Sequence, residues 1–409
     1  TNSQFIISDP NSLSTNIAGS TGSGTTTVTI PFAAVFGSQI AINSQGGTDT
    51  VTIDSSLGAF AKSLIVNTGD ADDTINANSF SGTNASLTLD GEIGSDVVNL
   101  NFGVDTDNGD ITATAEAINI SGTIDSGSGD QAFDGSVTAT SNATVSGADL
   151  TFNGTVDGPG DLTVDGTGVV TFTAAIGTGT AIPFFNVTSG AASLDILVPV
   201  TVSSQVQLKA TNGSLTIGSS VTATGNGSID IGAGRQITVN GGASVSSTSG
   251  AIVLAANSSG LATGFFDGVL IANSATVSST TGDITVTGHG GDAVGNGNHG
   301  VNLQDTAAIT SLGGNITITG QAGGAGPTSF HEGVIVGGDV TTTGSGNITL
   351  NGTGGSAGAA NFGVDLFASA TVSADNGTVT INGVSGVGGG SDAIRLANFG
   401  NGGAVITTT

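Results

Sequence analysis

The chain has 409 residues, 70 of them Gly, and contains no Cys, Met, Trp or Tyr. A mean hydropathy of +0.27 with 37% hydrophobic residues is enough to build a core, which excludes low-complexity disorder despite the Gly, Ser and Thr content. The net charge of −27, against only Lys62, Lys209, Arg235 and Arg395 as cations, excludes nucleic acid and anionic membranes as main partners.

The acids are almost all Asp; Glu occurs only at Glu92, Glu116 and Glu332. Asp favours turns and Glu favours helices, so the bias predicts a β chain with many corners. Cations, Ca²⁺ first among them, are the natural counter-ions of such a surface. No stretch is long and apolar enough to span a bilayer, so membrane insertion is not expected. The lack of any Met and of a visible signal peptide predicts a processed product or a piece of a larger chain, with a secreted or cell-surface location as the simplest source.

Residues 1–45 are the least repetitive and are expected to form an N-terminal β cap or interaction segment, with the apolar run Gln4-Phe-Ile-Ile-Ser able to pair with a neighbouring strand. Residues 46–210 read as irregular, Asp-rich coils. Three turns there have the form Gly46-Gly-Thr-Asp-Thr-Val, Gly69-Asp-Ala-Asp-Asp-Thr-Ile and Gly94-Ser-Asp-Val-Val. One coil per turn would stack Asp49, Asp73 and Asp96 near one corner, with Asp70 and Asp72 beside them. Like charges so placed repel unless a cation bridges them, which makes these five the candidate Ca²⁺ ligands. Asx-turns at solvated corners are the plainer alternative. Alternation continues through 109–180, and Pro183, Phe184, Phe185 and Pro199 predict a distorted coil within 181–210.

Residues 211–267 read as compact coils of three short strands: Leu215-Thr-Ile, Val221-Thr-Ala and Ile229-Asp-Ile, then Ile237-Thr-Val, Val245-Ser-Ser and Ile252-Val-Leu. From Gly268 to the end the unit repeats almost letter for letter. Gly268-Val-Leu-Ile, Gly300-Val-Asn-Leu, Gly333-Val-Ile-Val and Gly363-Val-Asp-Leu open successive units of roughly 30 to 33 residues, inside the range that marks solenoids. Period-2 alternation points Ile284 and Val286, Ile316 and Ile318, Ile348 and Leu350, and Val379 and Ile381 inward. The expected fold is therefore all-β: a right-handed parallel β-helix with three strands per coil, coils stacking about 4.8 Å apart. The corners Gly282-Asp, Gly314-Asn, Gly346-Asn and Gly377-Thr predict a left-handed backbone with side-chain-to-backbone bonds. Gly-rich loops 288–299, 320–332, 352–362 and 383–392 follow the third strand, and stacked insertions of this kind mark one face for binding.

The runs Gly160-Asp-Leu-Thr-Val-Asp-Gly and Gly213-Ser-Leu-Thr-Ile-Gly resemble the repeats of filamentous-haemagglutinin and autotransporter-type adhesins, and the units from Gly268 are similar to repeats of large bacterial surface proteins. The three Asp-rich turns look like single-turn relatives of the Gly/Asp repeats that hold Ca²⁺ in RTX proteins. These resemblances imply export, a cell-surface or extracellular location and adhesive or structural roles, and carry no catalytic residues.

No enzymatic activity is expected. A polysaccharide lyase needs an acidic cluster with a cation as base or oxyanion stabiliser, and Arg395 is instead expected to pair with Asp365 at the surface. His289, His299 and His331 all lie in the loops, and with Phe266 and Phe362 nearby a loop-end stack of rings is expected. Outward Thr285 with Thr287 and Thr317 with Thr319 raise an ice-binding reading, but the pattern decays to Thr349/Asn351 and Thr380/Asn382. The expected function is an extracellular structural protein of a filament, stalk or layer, partnered with itself head to tail. The alternative is an adhesin whose stacked loops bind a surface glycan or protein.

Overall fold

The structure is a computed structural model that describes residues 4–13, 25–31, 37–53, 59–191, 193–295, 297–324, 329–367, 369–397 and 403–408. Among the described residues every regular element is a β-strand. The chain divides into two compact units, Thr1–Ile182 and Pro183–Thr409. Outside one antiparallel hairpin, the named strands pair in parallel with strands one coil away, as a β-helix solenoid requires.

In the first unit, strands Gln4–Leu13 and Thr25–Pro31 form the antiparallel hairpin, so Gln4–Ser8 are already paired within the chain. The solenoid begins at Gln39–Asn43, which pairs with Ser63–Asn67 and through it with Leu87–Asp90 and Ile111–Thr114. A second sheet runs through Thr50–Ile53, Thr74–Ala77, Val97–Leu100 and Ala117–Ile120. A third includes Phe80–Gly82, Val104–Asp105 and Ile124–Asp125. Strands Ile111–Asp125 and Gln131–Gly147 run through two corners each, marked by register shifts at Thr114/Ala117 and Ile120/Gly122. The core is filled by alternate residues, and one of its columns is aromatic. Phe133, Phe152 and Phe172 stack face to face at 4.9 and 5.0 Å between ring centroids.

The second unit has the three-strand coil in its plainest form. One sheet of eight strands runs from Ser193–Ile196 through Ser214–Ile217, Ile237–Val239 and Val269–Ile271 to Ile394–Leu396. Another stacks Ser220–Ala223, Ser244–Ser247, Thr276–Ser279, Ala308–Ser311, Asp339–Thr342 and Thr371–Ala374. The third stacks Ser228–Ala233, Ile252–Ala256, Ile284–His289, Ile316–Gln321, Ile348–Thr353 and Val379–Val384. Ile284, Val286, Ile316, Ile318, Ile348 and Leu350 are fully buried, as alternation predicts. Val379 and Ile381 share their register but are half-exposed, because no described coil covers them.

The corner glycines correct the sequence reading. Gly282, Gly314, Gly346 and Gly377 have no left-handed backbone. They are there because adjacent coils touch: a Cβ on Gly314 would sit 2.1 Å from the Gly282 carbonyl oxygen, and one on Gly346 would sit 2.1 Å from that of Gly314. The expected side-chain-to-backbone bonds do form. Asn315 N–H donates to Asp283 Oδ1 at 2.7 Å, Asn347 N–H to Asn315 Oδ1 at 2.9 Å, and Thr378 N–H to Asn347 Oδ1 at 2.8 Å. Each acceptor satisfies an amide that the turn takes out of the sheet ladder. Gly314→Ala is expected to cost about 1–3 kcal/mol, because the colliding atom is backbone and the coil must move. Gly389→Ala, with open space around it, is the control and should stay within about 0.5 kcal/mol. Urea unfolding followed by circular dichroism reads both.

Candidate functional site

Two built polar columns stand out, one in each unit. In the first unit, the Asp-rich turns deliver Asp49, Asp73 and Asp96 to one corner column, buried to 5%, 2% and 1% exposure. Asp73 and Asp96 each tether the coil before them: Asp49 N–H donates to Asp73 Oδ1 at 2.7 Å, and Asp73 N–H to Asp96 Oδ1 at 2.8 Å. Glu116, placed at the corner register shift, continues the run by accepting from Asp96 N–H at 2.8 Å. The sequence reading omitted it because its turn has no Gly-Asp signature. Asp70 and Asp72 are exposed and stand outside the column; Asp72 Oδ1 accepts from Ser95 N–H at 2.9 Å. Asp73 Oδ2 and Asp96 Oδ2 are buried with no hydrogen-bond partner.

Burial of the Asp96 carboxyl, with the like charges of Glu116, Asp73 and Asp72, outweighs the hydrogen bond from Asp73 and raises its pKa above the ordinary carboxylate value of 3.8. A raised carboxyl pKa stabilises the fold below the unfolded-state value, and that contribution is lost as pH rises through the folded-state value. Ionised Asp96 is thus a cost at neutral pH. Asp96→Asn, which keeps the amide acceptor and removes the charge, should raise the melting temperature at pH 7 and flatten its decline between pH 4 and 7. A scan of melting temperature against pH for both proteins checks this.

Among the described residues no three acidic or imidazole side chains converge tightly enough to cage a metal ion. Asp49, Asp73 and Asp96 are stacked one coil apart as the sequence predicts, with Asp73 and Asp96 accepting the amides of the coils before them.

In the second unit, the loops after the third strand carry two parallel columns. Phe266, Asn298, His331, Asn361 and Ser391 share the inner one. Phe266 N–H donates to Asn298 Oδ1 at 3.1 Å, Asn298 N–H to His331 Nδ1 at 3.3 Å, His331 N–H to Asn361 Oδ1 at 3.1 Å, and Asn361 N–H to Ser391 Oγ at 3.0 Å. Asp267, His299 and Glu332 share the adjacent column. His299 N–H donates to Asp267 Oδ1 at 3.0 Å, and His299 Nδ1 lies 2.8 Å from Glu332 Oε2. Glu332 N–H also approaches His299 Nδ1, at 3.4 Å. With a proton on Nδ1 the shorter ion pair is the contact that holds. Burial alone would lower the His299 pKa, but the hydrogen bond to Glu332 and the charges of Asp267, Glu332 and Asp365 overcome it and hold the ring above its ordinary 6.5.

The expected loop-end ring stack is therefore corrected. His331 stacks between the amides of Asn298 and Asn361, and His299 pairs with an acid. Counting back from Gly300, Gly333 and Gly363 would have shown this offset. Arg395 pairs with Asp365 in the predicted register, but not as a surface pair: Asp365 is 1% exposed. Arg395 Nε and Nη2 lie 2.8 and 2.5 Å from its two oxygens, and the guanidinium stacks 3.9 Å from the Phe362 ring centre. The outward Thr285, Thr317, Thr349 and Thr380 are aligned in one row. Beside them Asn351 and Asn382 bond along the axis, Asn382 Nδ2 to Asn351 Oδ1 at 2.8 Å.

Sequence reasoning missed a longer hydroxyl row on the second sheet. Thr222, Ser246, Ser278, Thr310, Thr341 and Ser373 occupy successive coils in one register. A shallow cavity of about 310 Å³ lies against its first four members. The signal was an outward Ser or Thr at the same place in each second strand.

No protein-family model, curated protein or solved structure matches this chain.

Proposed function

We propose that this chain is a structural protein of an extracellular or cell-surface filament, stalk or layer, built by stacking β-helix coils end on end. The observation that carries the reading is the last described coil. Ile394, Leu396 and Ile406 occupy the registers of fully or almost fully buried Val364, Leu366 and Val372, yet are 41%, 59% and 41% exposed. A further coil in the same register, of another copy or of the same polypeptide, would cover these side chains and continue the sheets. The resemblance to surface-adhesin repeats agrees with this location. Electron microscopy of the purified chain tests the self-assembling form: concentration-dependent fibres or end-to-end rods support it, and monodisperse short particles at all concentrations reject it.

An adhesin is the second reading, favoured by apolar side chains held out on the loops. Phe265, Val294, Phe330 and Val387 are 56%, 68%, 48% and 65% exposed. Replacing these four side chains (Phe265→Ser, Val294→Ser, Phe330→Ser and Val387→Ser together) should abolish surface binding and leave particle shape intact under that reading. Ca²⁺ bound along the Asp49–Asp73–Asp96 column is a further proposal, supported by the orphaned Asp73 and Asp96 oxygens. Its test is a thermal melt with and without chelator, in which an unchanged transition rejects a structural role.

A further inference from the structure

We infer that His331 is a proton-operated latch on the stacked loops of the second unit: neutral, it accepts the Asn298 amide and locks one coil's loop to the next; protonated, it releases that loop. The inference is independent of the function proposed above.

The inner loop column sets up the argument. At each step a side chain accepts the backbone N–H of the preceding coil, and the acceptor is Asn298 Oδ1, His331 Nδ1, Asn361 Oδ1 and Ser391 Oγ in turn. Amide and hydroxyl oxygens accept at any physiological pH. An imidazole nitrogen accepts only while it lacks a proton. His331 is thus the one titratable acceptor among these four, and it is fully buried. Protonation would set an N–H against the Asn298 N–H and place a charge inside the loop stack. Glycine backbone packs closely against His331. A Cβ on Gly324 would lie 2.7 Å from ring atoms Cε1 and Nε2, and one on Gly355 would lie 2.6 Å from the His331 Cβ, so glycines enclose it on two sides. Asn298 also braces its own loop, its Nδ2 donating to the carbonyls of Ala293 at 2.9 Å and Gly295 at 3.3 Å. Loss of the amide bond at Asn298 therefore reaches the loop tip.

The other ionisable groups on the loops and adjoining strands are His289, Asp267, Asp292, His299, Glu332, Asp365, Asp392 and Arg395, with Arg235 packed over the Phe266 ring. His299 acts in the opposite sense, because its proton tightens the contact with Glu332. His289 has its pKa lowered by burial and is the group most able to imitate the effect, so it needs its own control.

The test is amide hydrogen exchange at pH 7.5 and 5.5 on the full chain, expressed as protection factors so that intrinsic rates cancel. The Asn298 amide should lose protection at pH 5.5 relative to pH 7.5, because opening of its bond is favoured by each proton the ring takes up. His331→Asn copies the residue found at this register in both neighbouring coils. It should keep protection at pH 7.5 and abolish the loss. His289→Gln should leave the loss in place. Equal protection of the wild-type amide at the two pH values overturns the latch, as does a loss that survives His331→Asn. If that variant is unprotected at both values, His331→Gln supplies the same oxygen acceptor, and a pH response persisting there also overturns it.

Discussion

Phe152→Ala should cost the first unit about 3–5 kcal/mol, the range for emptying a fully buried aromatic site. Its ring is 0% exposed and lies between Phe133 at 4.9 Å and Phe172 at 5.0 Å, with interplanar angles of 20° and 15°. Parallel in-register pairing puts the three rings one coil apart, so neither neighbour can move in to fill the gap without leaving its own register. Offset stacking adds to the area term. In a solenoid each coil touches only its neighbours, so the loss should be local: coils on either side of 152 should lose exchange protection first. Urea unfolding must be followed by circular dichroism, as the chain has no Trp or Tyr to report by fluorescence. Ile93→Ala, at a side chain 72% exposed, should change stability by no more than about 0.5 kcal/mol.

His299→Ala should destabilise the second unit by about 3–5 kcal/mol, because it strands the Glu332 carboxylate, whose side chain is 3% exposed. The paired variant His299→Gln with Glu332→Gln should recover most of that loss, since the main cost is the uncompensated buried charge and not the missing contact. The pH dependence has a definite sign. The folded-state pKa of His299 is raised, so its stabilisation is complete below the unfolded value of about 6.5 and fades as pH climbs through the folded value. The melting temperature of the second unit should therefore fall on going from pH 6 to pH 9, and His299→Gln should remove that slope. A slope equal in both proteins would assign it to other groups.

Strand position and facing were legible from the residues because a period of two leaves few alternatives: Ile316 and Ile318 can both be buried only if Thr317 is not. The stacking of Asp49, Asp73 and Asp96 was legible for the same reason, since a constant coil length converts sequence separation directly into height. What the corners do was not. Gly314 reads identically whether the backbone is left-handed or a neighbouring carbonyl lies too close for a Cβ, and only the inter-coil distance decides between them. The loop columns were misread because the histidines were matched to each other. The register is set where the next strand begins, which aligns His299 with Glu332 and Asn298 with His331. Glu116 went unseen because it enters its column through a break in register, which has no signature in residue type.

The close contact of coil on coil at Gly314 and its equivalents has a mechanical consequence. Each coil of the second unit is tied to the next through three sheets and a corner amide at once, so tension applied to its C-terminal strand loads one coil while the rest stay shielded. Coils should peel singly from the pulled side, because each touches only its neighbours. Long-loop coils span 31 or 32 residues at this corner, as the Asp283–Asn315, Asn315–Asn347 and Asn347–Thr378 bonds show, so each rupture should release about 110 Å of chain. Pulled in an optical trap, the unit would lengthen as a ratchet of near-equal steps, dissipating work at each one and reseating coil by coil when slack returns.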